Sequence, residues 1–148
     1  SQTTVGSATA TKITVDGTAS QTHYLRDDTA PFVTEAKAIV WQADIYIPSA
    51  NSLVDGVMFA IGQFGAGNTA RRFIISTTAD GDKQIDDDTW VTVTTSARIY
   101  VDDGTFDLSV YLMDGTSDNY SGNSTDYIGI KNQKIRKMKN SLKLKNKD

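Results

Sequence analysis

The sequence predicts an all-β protein: an antiparallel sandwich or barrel of short strands, read as a single two-sheet domain, with a basic C-terminal tail. Three observations lead there. Apolar residues recur at every second position in several short runs, as they do in strands with one buried face. Asp-Gly pairs and glycine clusters separate the runs at 16–17, 55–56, 65–67, 80–81, 103–104 and 114–115, where tight turns need positive φ. All the acids but Glu35 are Asp, whose short carboxylate bonds nearby backbone amides and so favours turns over helices.

Taken in order, Lys12 to Val15 and His23 to Leu25 are weak first strands. From Lys37 to Ile47 the alternation is sustained: Ile39, Trp41, Ala43, Ile45 and Ile47 share one face, and Val40, Gln42, Asp44 and Tyr46 the other. Val57, Phe59 and Ile61 repeat it, then Phe73 with Ile75, and Val91 with Val93, with Trp90 in the opposite phase. In 105–113, Phe106, Leu108, Val110 and Leu112 form the buried set, leaving Asp107, Ser109, Tyr111 and Met113 to face outward. Ile128 and Ile130 close the series. Residues 1–130 are expected to form one sandwich domain and 131–148 a basic extension.

That extension differs in kind. It carries eight Lys/Arg and one Asp, a net +7, so the net charge of −3 leaves −10 on the rest. Ile135, Met138 and Leu142 would share one face of a weak amphipathic helix. The ordinary expectation is a solvated terminus; the acidic body or a neighbouring chain would be needed to hold it. The acidic body should repel nucleic acid. No run approaches the roughly 18 apolar residues of a membrane helix, and no signal peptide is visible. There are no cysteines, hence no disulfides and no thiolate metal site.

Catalytic signals are sparse. His23 is the sole histidine, and no Gly-x-Ser-x-Gly elbow presents a serine. One Glu cannot supply the Glu-x-Asp-x-x-Glu strand of jelly-roll glucanases. In "QIDDD", Asp86 stands where jelly-roll alginate lyases would place histidine. "GQFGAG" has no following lysine and no helix pattern, so it is no phosphate loop. The sequence therefore points away from an enzyme.

Two binding candidates remain. Asp80, Asp82, Asp86, Asp87 and Asp88 crowd into "DGDKQIDDD", and calcium is the cation such oxygens would take, although Ile85 and Val91 break the EF-hand pattern. A solvated acidic turn explains the same residues. The second candidate is a glycan face. Sugars present C–H patches to aromatic rings and hydroxyls to amides and carboxylates; Gln42, Asp44, Tyr46, Trp90, Asp107 and Tyr111 would offer such groups on an open sheet face. An ordinary solvated face, rich in Tyr and Thr for their strand propensity, is the plainer reading.

The segments "DDDTWVTVTT", "DDGTFDLSVYLM" and "TDYIGIKNQKI" resemble the second half of jelly-roll carbohydrate-binding modules, with "AIVWQADIYIP" as an earlier strand. The closing strand departs from that pattern, because Gly129-Ile130 replaces the usual Asp-Asp pair. "ATKITVDGTASQTHYLRDD", followed by the strand at 37–47, is similar to tail-fibre and decoration proteins of bacteriophages. These resemblances imply a two-sheet antiparallel jelly-roll sandwich with a basic C-terminal tail, serving as a non-catalytic structural or adhesion module on the surface of a phage-like virion or another extracellular assembly. Its partners would be other copies of itself, shell or fibre proteins, or a polysaccharide, with no nucleic acid and no membrane. The alternative they imply is a carbohydrate-binding module of a secreted polysaccharide-degrading enzyme.

Overall fold

The computed structural model describes residues 2–15, 21–22, 24–26, 32–33, 38–63, 68–98, 105–117, 119–120 and 125–138. The described elements are strands: β1 (Gln2–Val5), β2 (Ala8–Thr14), β3 (Gln21–Thr22), β4 (Tyr24–Arg26), β5 (Phe32–Val33), β6 (Ala38–Tyr46) and β7 (Gly56–Gln63). They continue with β8 (Asn68–Ser76), β9 (Lys83–Gln84), β10 (Val91–Arg98), β11 (Thr105–Met113), β12 (Asn119–Tyr120) and β13 (Tyr127–Met138). One sheet has the order β1-β2-β13-β6-β10; the other runs β4-β11-β7-β8-β9, with β5 also on β11. A short β12–β3 pair stands apart. All pairings are antiparallel except β8 with β9. This is a two-sheet jelly-roll sandwich: alternation predicts its antiparallel sheets, and the resemblance its jelly-roll form.

The core lies between the sheets, where period-two patterning sends the apolar sets. From the β6 sheet come Ile39, Trp41, Ala43, Ile45, Val93, Ala97, Ile128 and Ile130; from the β7 sheet come Val57, Phe59, Ile61, Ile75, Leu108, Val110 and Leu112. Trp41 meets Phe59 edge-on across the layer, with ring centroids 4.8 Å apart. Such a pair adds about 0.5–1.5 kcal/mol beyond its burial. The Phe106 side chain lies outside the described residues.

The turn between β6 and β7 is anchored by a buried acid. Asp126 is 1% exposed, and its carboxylate accepts the backbone N–H groups of Ser52, Leu53 and Val54 at 2.7–3.0 Å. Asn51 completes the tie by donating to the Val54 and Tyr127 carbonyls and accepting the Tyr127 N–H. The 47–55 turn is thus fastened to the start of β13.

The basic C-terminal stretch departs from expectation. Residues 131–138 are strand, not a helical face, and they continue β13 past the boundary placed at residue 130. The physical reason is pairing. Lys131 lies opposite Asp44, and after a bulge Lys134, Ile135, Arg136, Lys137 and Met138 lie opposite Gln42, Trp41, Val40, Ile39 and Ala38. Residues 139–148, with Leu142, lie outside the described residues.

Candidate functional site

Directly opposed residues of an antiparallel pair share a face, so the register lays out the outer surface of the β6 sheet row by row. The first row holds Lys12, Gly129 and Tyr46, the next Lys131, Asp44 and Thr92, then Lys134, Gln42 and Thr94, then Arg136, Val40 and Ser96. Read along the strands, this face has a basic column on β13, a mixed column on β6 and a hydroxyl column on β10.

The bulge creates the basic column. Period two would put Lys131, Gln133 and Ile135 on one face and Lys134 and Arg136 on the other. The register shift between Lys131 and Lys134 inserts one extra residue, with Asn132 at φ 52°. Asn tolerates that conformation better than most residues. Lys134 and Arg136 therefore emerge beside Lys131, while Ile135 takes the inward phase opposite Trp41 and remains 38% exposed.

At the head of the face sit the aromatics. Trp90, just ahead of β10, lies 5.4 Å from Tyr46, tilted by 44°. Its indole N–H donates to the Gly6 carbonyl at 3.3 Å. Both rings rest on glycines. A Cβ at Gly129 would fall 2.9 Å from Trp90 Cη2 and 2.7 Å from Val5 Cγ1; one at Gly6 would fall 2.5 Å from Tyr46 Cε2. Val5 and Ala10, on the strands beside this cluster, are buried. Two ammonium groups lie over rings: Lys131 Nζ is 4.1 Å from the Trp90 centroid, and Lys12 Nζ is 4.1 Å from that of Tyr127. Where β2 and β13 part at the bulge, a groove of about 270 Å3 is lined by Gln2, Thr9, Thr11, Lys131, Asn132 and Gln133.

The acids here are held ionised. The Asp44 carboxylate accepts the Thr92 hydroxyl and the Asn132 amide, each at 2.7 Å. The Thr92 bond foremost, then the Asn132 bond, keeps its carboxyl below the usual range; Lys131 and Lys134 add to this. Asp88 accepts the Ser49 hydroxyl, the Ser49 N–H at 3.1 Å and the Tyr46 hydroxyl at 3.2 Å, and the Ser49 bonds lead in lowering its pKa. Burial, then the Asp88 charge, pushes the Tyr46 phenol up, so it keeps its proton and donates.

The expected site residues do not converge on one place. Gln42, Asp44, Tyr46 and Trp90 share the outer face of the β6 sheet, whereas Asp107 and Tyr111 belong to β11 in the other sheet. Nor is that second face open. Ser109 and Met113 are in the expected outward phase, yet they are buried, as are Met58 and Ala60 beside them; Tyr111 is half-buried. The signal was the unbroken apolar run Val57 to Ile61, because a strand apolar at every position is covered on both sides. The Asp107 side chain and His23 lie outside the described residues.

The five clustered acids also part company. Asp82 accepts the Ile74 N–H at 2.8 Å, Asp80 accepts the Thr78 hydroxyl at 3.3 Å, and Asp88 turns toward Ser49 and Tyr46. Among the described residues no three acidic, histidine or cysteine side chains come together as a metal site. Asp80, Asp82, Asp86, Asp87 and Asp88 are therefore not gathered around a calcium position. They are turn residues, each of the three bonded ones tied to a different partner.

No family model matches the chain, and no curated protein matches it. Among solved structures it is similar to the CBM22-1 xylan-binding domain of Paenibacillus barcinonensis Xyn10C, at 16% identity over 88% of this chain and 73% of that one, with a TM-score of 0.48. It is also similar to a family 35 carbohydrate binding module from an environmental isolate, at 11% identity over 83% of this chain and 74% of that one, with a TM-score of 0.32.

Proposed function

We propose that this domain is a non-catalytic carbohydrate-binding module, working outside the cell, and that its glycan lies along the outer face of the β6 sheet. The observation that carries this reading is the juxtaposition on one face of the Tyr46–Trp90 pair with Gln42, Asp44 and the Thr92, Thr94 and Ser96 hydroxyls. Rings meet the C–H faces of a pyranose, and amide, carboxylate and hydroxyls bond its hydroxyls. A sugar stacking on Trp90 takes the place of the Lys131 ammonium.

Affinity electrophoresis through gels cast with soluble polysaccharides tests this. Trp90→Ala and Tyr46→Ala should abolish retardation, while Tyr111→Phe, on the other sheet, should leave it unchanged. Retardation that survives both aromatic changes would sink this placement. The virion reading rests on the sequence resemblance alone, and no feature of the described residues favours it.

A further inference from the structure

The fold uses only part of the basic column on β13: Lys131 covers Trp90, and Lys131 and Lys134 help to hold Asp44 ionised. Among the described residues, neither Lys134 nor Arg136 bonds or pairs with a carboxylate, and both are exposed. Lys12 and Lys131 lie over rings, and Lys131 also stands opposite Asp44 across the β13–β6 pair. Strand rise separates successive rows by about 7 Å, so Lys131, Lys134 and Arg136 form a column of charge along β13, with the β6 column between it and the hydroxyls of β10. Lys12, opposite Gly129, extends it at the aromatic end. The acid within this array, Asp44, is occupied by Thr92 and Asn132. Like charges in line repel one another and cost stability, and here a β-bulge is what gathers them on one face.

We infer that the ligand of this face is an anionic polysaccharide, carrying carboxylate or sulfate groups that lie against Lys131, Lys134 and Arg136 while its rings reach Tyr46 and Trp90. The inference rests on the proposed glycan reading and narrows its ligand class. A linear polyanion suits the column because each charged sugar meets a fixed cation on one side and the hydroxyls of β10 on the other. Duplex nucleic acid suits it less: Asp44 and Asp88 stand on or beside the same face, and the chain outside residues 131–148 carries −10.

The test is affinity electrophoresis of the full chain against polygalacturonate, alginate, dextran sulfate, neutral xylan and duplex DNA, at low and high salt. The wild type should be retarded by at least one polyanion, in a salt-dependent way. Lys134→Gln/Arg136→Gln should weaken that binding about tenfold or more and reduce its salt slope. Both positions are exposed, and an unchanged melting curve confirms that the double variant folds. Comparing carboxylated with sulfated polymers identifies the anion. Equal retardation by neutral xylan, or polyanion binding unaffected by the double variant, overturns the inference but leaves the glycan reading standing. Duplex DNA bound as tightly as the best polysaccharide overturns it too, because the column is then a general anion surface. Retardation by no polysaccharide removes the glycan reading along with the inference.

Discussion

Asn132 reaches across the β13–β6 pair to donate its amide to Asp44 at 2.7 Å, from a backbone at φ 52°. One residue thus supplies both the positive φ of the bulge and the bond that fixes Asp44. Asn132→Gly keeps the backbone freedom and loses the bond, so it should cost about 1 kcal/mol. Asn132→Val loses both and should cost about 1–3 kcal/mol more, because a β-branched residue is strained there. Urea unfolding of the two variants separates the contributions; equal losses would show that φ is not the constraint.

Gly129→Ala should displace the aromatic cluster. The added methyl meets Trp90 and the Val5 methyl at under 3 Å. Overpacking of this kind costs about 1–3 kcal/mol. A lower melting temperature and a red-shifted tryptophan emission are expected together, since Trp90 is half-buried and Trp41 lies in the core.

Asp126→Ala should be the most damaging single change in the described turns. It leaves three backbone N–H groups around a buried site without their acceptor, a loss of about 3 kcal/mol or more. Hydrogen exchange at Ser52, Leu53 and Val54 should accelerate well before that of β7. Unchanged exchange there would show that the turn holds itself.

The pH dependence follows from Asp44 and Asp88. Both carboxyls titrate below their ordinary value of 3.8 in the folded protein, so folding favours their ionised forms. That stabilisation is present above the ordinary value and is lost as pH falls through the folded one. Melting temperature should hold from neutrality to about pH 5 and drop below about pH 4. Asp88→Asn should flatten part of that drop, with thermal melts across this range as the measurement.

Calcium should leave stability unchanged. The five acids of 80–88 are not gathered, and among the described residues no metal-binding group of three exists. Melting curves with calcium and with a chelator are expected to superimpose; a calcium-dependent rise would mean that the acids close around an ion.

The sandwich was legible because Ile39 to Ile45 and Leu108 to Leu112 alternate cleanly; β6 does have a drier and a wetter side, whereas β11 is covered on both. The hairpin of β1 and β2 was legible only at its end, as the weak strand from Lys12, because its run of Thr and Ala carries little hydrophobic contrast. β13 beyond residue 130 was misread for a different reason. A bulge changes the phase of alternation midway, and a strand whose phase slips has no single period to detect. Part of the candidate face was visible in Gln42, Asp44, Tyr46 and Trp90. Alternation says which residues share a side of one strand, but not which strands share a sheet, so Tyr111 was grouped with residues on the opposite surface. Asp126 gave no warning at all, since a buried capping acid and a solvated one look alike in sequence.

β13 is the last described strand along the chain, yet it lies in the middle of its sheet, between β2 and β6. On a ribosome, the first hairpin must therefore wait with one flank unsatisfied until nearly all of the domain has been translated. Closure joins segments more than a hundred positions apart, a pattern that slows folding and prolongs exposure to aggregation. A nascent chain stalled before residue 127 should have β6 and β10 available to zip together but nothing to join them to the N-terminal strands.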